Sequence, residues 1–135
     1  MSVLADIHRC EQRSAELFAA ALSPGVSLTN AQYRVLDAVL QAKGKPSQTG
    51  VVEVTRIDRS TLADIVRRLV SRRLLVRKRN KADARAYELD LTDEGRKAHQ
   101  AGKIATEQAE SALLDCLSIA NRAALRNLLA SVARD

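Results

Sequence analysis

The sequence predicts a mainly α-helical protein with one small β-hairpin, organised as a single domain over residues 1–135. Apolar residues recur at three- and four-residue spacings through most of the chain, which is the period of an amphipathic helix. Two strand-like stretches, 74–79 and 86–91, interrupt that pattern, and the second alternates apolar with polar residues. Hydrophobic residues make up 46% of the chain but aromatic residues only 2%, so the core must be aliphatic.

Long amphipathic helices are predicted at both ends. Residues 3–22 carry an apolar stripe that stops at a Ser-Pro-Gly sequence. A second long helix begins after Thr92 and extends to about Leu117, with an alanine-rich inner stripe that ends at Cys116. Together with a last helix, these stripes present more apolar surface than a small monomer can bury. The last helix carries Leu125, Leu128, Leu129 and Val132.

The central part of the chain predicts three shorter helices with identifiable N-caps. Thr29 and Gln32 match a capping box. Ser47 precedes a short helix over 48–54, and Asp58 precedes a helix that runs to about Arg73. A short helix, a tight turn, a second helix and a hairpin form a winged helix-turn-helix, which places the second helix in the major groove of DNA.

The distribution of charge agrees with a nucleic-acid partner. The net charge is +6, and residues 56–85 hold eleven Arg and Lys residues against three acids. In the segment RRLLVRKRNKADAR, residues 72–85, the Leu-Leu-Val triplet anchors the first strand of the hairpin, and the basic residues line its surface. The alternative is a solvated charged face without a partner, which its position in a winged module disfavours.

Two motifs flank the hairpin. Asp83-x-Arg85 lies in the wing, and Leu91-Thr92-x-x-Gly95 opens the following helix. With the segment LTNAQYRVL at 28–36, these residues resemble the MarR family of bacterial transcription regulators. The resemblance covers nearly the whole chain in element order and residues 28–95 in recognisable motifs.

The resemblance implies an obligate homodimer. It assigns residues 28–95 to a DNA-binding lobe and residues 1–27 and 96–135 to dimerisation helices. The implied activity is that of a repressor on a pseudo-palindromic operator in double-stranded DNA, released by a small ligand or an oxidant. The family often binds phenolic or other aromatic carboxylates between the dimer helices and the DNA-binding lobe, so an effector of that class is expected.

The expected DNA contacts come from the short helix, the exposed face of the recognition helix, and the wing. Arg85 is expected to enter a narrow minor groove while Asp83 holds its guanidinium; a salt bridge that only stabilises the wing is the alternative. Asp64 could accept a hydrogen bond from a cytosine amino group, but pairing with Arg67 or Arg68 is favoured. The candidate residues are Ser47, Gln48, Arg59, Ser60, Thr61, Asp64, Arg67, Arg68, Arg77, Arg79, Lys81, Asp83 and Arg85.

Two residues depart from the family pattern. Arg73 stands where relatives usually have glycine before the wing, and Arg56 occupies a helix-turn-helix turn that often prefers glycine. Cys10 and Cys116 match the helices on which an oxidant-sensing branch of the family carries cysteines. Each lies on an apolar stripe, however, where cysteine is mostly inert packing.

Other classes of function have little support in the sequence. No glycine-rich phosphate loop or nucleophile elbow suggests an enzyme. His8 and His99 are isolated and expected at the surface, so no metal site or cofactor is predicted. No stretch reads as a signal peptide or a membrane span, which favours a reducing cytoplasm. A non-specific architectural DNA-binding protein remains an alternative to a sequence-specific regulator.

Overall fold

The computed structural model describes residues 1–83 and 87–134. In this part of the chain the expected mainly α fold with one hairpin is confirmed, and the boundaries that the sequence predicted differ from the observed ones by at most three residues. The elements in chain order are α1 (Val3–Ala21), α2 (Asn30–Gln41), α3 (Gln48–Thr55), α4 (Arg59–Ser71), β1 (Leu75–Arg79), β2 (Tyr87–Leu91), α5 (Asp93–Leu114) and α6 (Ile119–Val132).

The predicted N-caps are present and explain where the helices begin. The Thr29 hydroxyl accepts a bond of 3.0 Å from the Gln32 amide, and the Gln32 side chain accepts one of 3.0 Å from the Thr29 amide. This capping box satisfies two backbone donors at the start of α2. Ser47 accepts from the Gly50 amide at 3.1 Å, so a hydroxyl cap also begins α3.

A continuous aliphatic core fills the winged module formed by α2, α3, α4 and the hairpin. The antiparallel hairpin places Leu75 opposite Leu91, and both side chains point into this core. Because α4 repeats its apolar residues every three or four positions, one face packs here and the other stays in solvent. The largest fully buried side chains among the described residues all belong to this module: Leu36, Leu62, Leu69, Leu75, Leu89, Val35, Val51 and Val66.

Gly95 fastens α5 to the winged module at the base of the hairpin. A Cβ atom at this position would lie 2.0 Å from the backbone oxygen of Leu74, closer than any side chain tolerates. The Thr92 hydroxyl caps α5 through the Gly95 amide at 2.9 Å and donates to the Arg73 carbonyl at 2.6 Å. The Leu-Thr-x-x-Gly motif therefore combines a helix cap with a close contact between backbones.

The terminal helices bury much less. Phe18 of α1 packs with Ala105 and Ala109 of α5 in a second, small cluster. Every residue of α6 is at least partly exposed. Large hydrophobic side chains of these helices and the N-terminus lie in solvent in the single chain: Met1, Val3, Leu4, Ile7, Ile104, Ile119, Leu128, Leu129 and Val132.

Several side chains differ from their expected environment. His99, expected at the surface, is 5% exposed because α5 turns it toward α2. Cys10, in the middle of α1, and Cys116, two residues beyond the end of α5, are expected to pack on apolar stripes, but both are free and exposed in the single chain. Tyr87 lies on the same side of β2 as the buried Leu89 but is exposed, because the far end of the hairpin extends past the core.

Candidate nucleic-acid interface

The exposed face of α4 is the centre of the candidate interface. The apolar side chains of α4 pack into the core, and this packing turns its polar residues outward. Asp58 accepts from the Ser60 hydroxyl at 2.7 Å and from the Thr61 amide at 3.3 Å, which fixes the first turn. Hydrogen bonds from the side chains of Thr61 and then Ser60 lower the pKa of Asp58 below its ordinary value. The exposed residues of this face are Arg59, Ser60, Thr61, Arg67 and Arg68.

Asp64 organises the two arginines in the middle of this face. One carboxylate oxygen accepts a hydrogen bond from Arg67, and the other lies 3.1 Å from the Arg68 Nε. Asp64 therefore pairs with both arginines, where the sequence favoured a pair with one or the other. Each carboxylate oxygen of Asp64 has a cationic partner. Asp64 therefore holds both guanidinium groups in place while they remain exposed to solvent.

The wing contributes a second cationic surface beside α4. The guanidinium carbons of Arg77 and Arg79 lie 5.7 Å and 5.8 Å from the centre of the Tyr87 ring, within the range of cation–π attraction. Arg77 also donates to the Gln48 side chain at 2.8 Å, which connects the wing to the first residue of α3. The exposed tyrosine thus supports two arginines whose charges remain accessible.

The tip of the wing begins with a side-chain turn. The Asn80 side chain accepts from the amides of Ala82 and Asp83 at 2.7 Å and 3.3 Å. Such a turn is typical of asparagine and directs the chain after β1. Lys81 and Asp83 are exposed here. Arg85, the expected minor-groove residue, lies outside the described residues.

Both departures from glycine occupy left-handed backbone. Arg56 closes α3 with φ 60° and ψ 16°, and Arg73 precedes β1 with φ 60°. These values belong to the region that glycine occupies most easily, which explains the usual glycine at both positions. The neighbouring Arg72 makes a tertiary contact instead. Its guanidinium donates to the Ser27 carbonyl at 2.5 Å and so braces the end of α4 against the chain before α2.

The structure brings most of the expected DNA-contacting residues into two adjoining surfaces, α4 and the wing. Ser47 and Gln48 join them through the start of α3, although the Ser47 hydroxyl is occupied as a cap. The sequence pattern did not indicate Tyr87, Asn80 or Arg72 as supports. Pairing of the two strands could have placed Tyr87 opposite Arg79, whereas the contact of Arg72 depends on tertiary packing.

Residues 1–83 and 87–134 offer neither a metal site nor a membrane span. No group of three or more His, Cys, Asp or Glu side chains there could hold a metal ion. Within the same residues, no helix has the length and apolar character needed to cross a bilayer.

Comparisons with known proteins agree with this geometry. The model of the MarR family matches residues 26–86. The regulator BpsR of Bordetella bronchiseptica is 30% identical with a TM-score of 0.85, and the match covers 98% of each chain; its structure concerns regulation of DNA binding by 6-hydroxynicotinic acid. No curated protein sequence matches the chain.

Two further solved structures are similar over most of their length. The repressor CouR, bound to a 23-mer DNA duplex, is 33% identical with a TM-score of 0.85, and the match covers 98% of this chain and 93% of CouR. PcaV of Streptomyces coelicolor, in complex with its natural ligand, is 32% identical with a TM-score of 0.85 over 94% of this chain and 88% of PcaV. From its winged module, its cationic recognition face and these matches, the chain belongs to the MarR family of DNA-binding transcription regulators.

Proposed function

We propose that the protein is a homodimeric repressor that binds a pseudo-palindromic operator and releases it when a small aromatic effector binds. One observation carries this proposal. A closed winged module with an outward cationic face is attached to terminal helices whose apolar side chains lie in solvent. A second copy of the chain would cover those side chains and double the DNA-binding face.

The two lobes have different roles in this proposal. Residues 28–95 contact DNA, and residues 1–27 and 96–135 hold the dimer together. A two-fold dimer places its recognition helices in successive major grooves, about 34 Å apart, or one helical turn. The operator should therefore contain inverted half-sites at that spacing.

The residues of the interface fall into three proposed roles. Ser60, Thr61, Arg67 and Arg68 read base edges, while Asp64 directs the two arginines. Arg85 enters the minor groove, with Asp83 directing it. The remaining candidates bind phosphates and set the register on the duplex, as most protein–DNA hydrogen bonds do. They are Ser47, Gln48, Arg59, Arg77, Arg79 and Lys81.

The effector is proposed by analogy with two relatives, one regulated by 6-hydroxynicotinic acid and one solved with its natural ligand. Phe18, which is buried, and Tyr33 place two aromatic rings between α1 and α2, with centroids 6.2 Å apart. A panel of hydroxylated aromatic carboxylates, added to a preformed protein–DNA complex, should contain a compound that releases the DNA. The cytoplasm is the proposed location, because the partner is chromosomal DNA.

Selection of duplexes from a random pool tests the proposed function directly. The selected duplexes should share inverted half-sites, and footprinting should show protection over both. The specific affinity should exceed the affinity for unrelated DNA by at least about 1,000-fold at the same salt concentration. Equal affinity for all duplexes would instead identify an architectural DNA-binding protein.

Arg68→Ala separates base reading from phosphate binding. We expect this variant to lose more affinity for the selected duplex than for unrelated DNA, because a base contact contributes only at the right sequence. Lys97→Ala is the matched control, since Lys97 is an exposed cation of α5 outside the winged module. Equal losses on both duplexes would move Arg68 to the phosphate-binding group.

Thiol-based oxidant sensing is a second candidate, favoured by the exposure of both cysteines in the single chain. Exposure is a requirement for a redox-active thiol. Peroxide should then release the selected duplex from the wild type but not from the Cys10→Ser and Cys116→Ser double variant. Release from both proteins, or from neither, would leave the aromatic effector as the signal.

A further inference from the structure

A buried histidine links the winged module to the terminal helices. His99 of α5 is 5% exposed, and its Nε2 lies 2.8 Å from a carboxylate oxygen of Asp37 on α2. Its ring stacks on Tyr33 of α2, with centroids 5.4 Å apart and an angle of 28° between the planes. Because α2 belongs to the winged module and α5 to the terminal helices, these contacts join the two lobes.

Close packing around this pair fixes the distance between α2 and α5. Gly102, one turn beyond His99, faces Tyr33 so closely that a Cβ atom there would lie 2.4 Å from the tyrosine ring. The Phe18 ring of α1 lies near the same tyrosine, with centroids 6.2 Å apart. Burial, and then the carboxylates of Asp37 and Glu107, raise the pKa of Tyr33, as expected for a phenol at a tight helix junction.

The pair lies at the edge of the core. His99 is buried against Tyr33, whereas the Asp37 side chain is 40% exposed. The net contribution of such a hydrogen bond to stability is modest, because unfolding exchanges it for bonds to water. The hydrogen bond restricts the relative orientation of α2 and α5, because donor and acceptor must meet within a few tenths of an ångström and in line.

We propose that Asp37 and His99 form an interlobe pin that fixes the angle of the winged module on α5. The pin thereby fixes the spacing of the two recognition helices in the dimer. Both are positioning residues, since neither lies on the cationic face that meets DNA. This inference rests on the proposed function, because the spacing matters only for a two-fold dimer on paired half-sites.

The spacing of half-sites gives this pin a measurable consequence. One added base pair moves a half-site by about 3.4 Å along the duplex and turns it by about 34° around the axis. A dimer with a rigid junction cannot follow both changes and loses affinity. A dimer with a loose junction follows them better, so breaking the pin should lower discrimination between spacings.

The experiment uses the full-length protein and the selected duplex, with half-site spacings of −1, 0 and +1 base pair. The measured quantity is the ratio of affinities for the native and altered spacings. His99→Phe keeps the ring stack on Tyr33 but removes the donor, and Asp37→Ala removes the acceptor. We expect each to reduce the ratio about tenfold, within the usual range for coupling between sites. The double variant should lose no more than either single variant.

Conservative variants separate positioning from folding. His99→Gln keeps an amide donor and Asp37→Asn keeps an oxygen acceptor, so both should recover much of the wild-type ratio. A variant that is merely less folded loses affinity equally for all three spacings and leaves the ratio unchanged. An unchanged ratio in His99→Phe and in Asp37→Ala would overturn the pin.

The outcomes also distinguish the pin from the function on which it rests. A wild-type protein that binds all three spacings equally would contradict the two-fold dimer model and the pin together. Strong spacing dependence in the wild type that persists in all variants would leave the proposed function intact and remove only the pin. Should His99→Phe fail to fold, Asp37→Ala carries the test, because its side chain is partly solvated.

Discussion

The winged module and the terminal helices use similar aliphatic residues but bury them to different degrees. Of the large hydrophobic side chains exposed in the described residues, only Val54 and Tyr87 belong to the winged module. The others lie on α1, α5 and α6 or at the N-terminus. The module therefore closes its own core, whereas the terminal helices keep apolar surface of the kind that marks a protein–protein contact.

The apolar positions of the two regions therefore have different consequences for packing. In the module, apolar positions specify how elements of one chain pack. In the terminal helices, a similar apolar pattern leaves large side chains in solvent, and we propose that a second copy of the chain covers them.

Leu62→Ala tests whether the winged module has a closed core. Leu62 is fully buried, so truncation removes packed atoms and leaves a cavity. We expect a loss of about 2–5 kcal/mol in the free energy of unfolding, measured by denaturant titration. Val54→Ala is the matched control, because Val54 is 73% exposed and its truncation should cost less than about 0.5 kcal/mol. Similar losses at both positions would contradict the closed core.

Leu128→Asp tests whether the apolar surface of α6 is a dimer contact. Leu128 is 64% exposed in the single chain, so a carboxylate there would be harmless to a monomer. In a dimer it would be buried in apolar surroundings, and the dissociation constant should rise about 100-fold, or about 2.7 kcal/mol. Sedimentation over a range of concentrations measures this change. Val54→Asp should sediment like the wild type, and an unaffected Leu128→Asp would remove α6 from the interface.

Arg73→Gly tests backbone strain within the winged module. Arg73 has φ 60°, which costs a side-chain-bearing residue about 1 kcal/mol more than glycine. We expect the variant to be more stable by about that amount, measured as a higher denaturation midpoint. Arg72→Gly should have the opposite sign, because Arg72 lies in ordinary backbone with φ −83° and braces the Ser27 carbonyl. A destabilised Arg73→Gly would show that its side chain outweighs the strain.

Asp58→Asn tests how the stability of the fold depends on pH in the acidic range. Because hydrogen bonds lower the pKa of Asp58 in the folded state, its ionised form stabilises the fold above the ordinary value of 3.8. That stabilisation is lost as the pH falls through the lower folded value. Asparagine caps a helix without titrating, so thermal unfolding of the variant should depend less on pH below 4. Asp58→Ala should instead be less stable at neutral pH as well, and identical acid profiles of Asp58→Asn and the wild type would contradict this role.

The helices, the strands and the N-caps could be predicted from the order of residues alone. Thr29, Ser47, Asp58 and Thr92 all begin the helices that the pattern predicted, because a cap depends on residues only two or three positions away. A pair between Asp64 and Arg67 or Arg68 could also be predicted, since these residues lie one helical turn apart. The left-handed backbone at Arg73 could be anticipated from the glycine expected there.

Contacts between distant elements could not be predicted in this way, because they depend on how the chain packs. The burial of His99 against Asp37 joins residues 62 positions apart, and no local pattern distinguishes that histidine from an exposed one. The exposure of Tyr87 and its position under two arginines depend on where the hairpin leaves the core. Caps and helix pairs form between residues a few positions apart in the sequence. Burial instead depends on which residues, distant in the sequence, the fold packs against a given side chain.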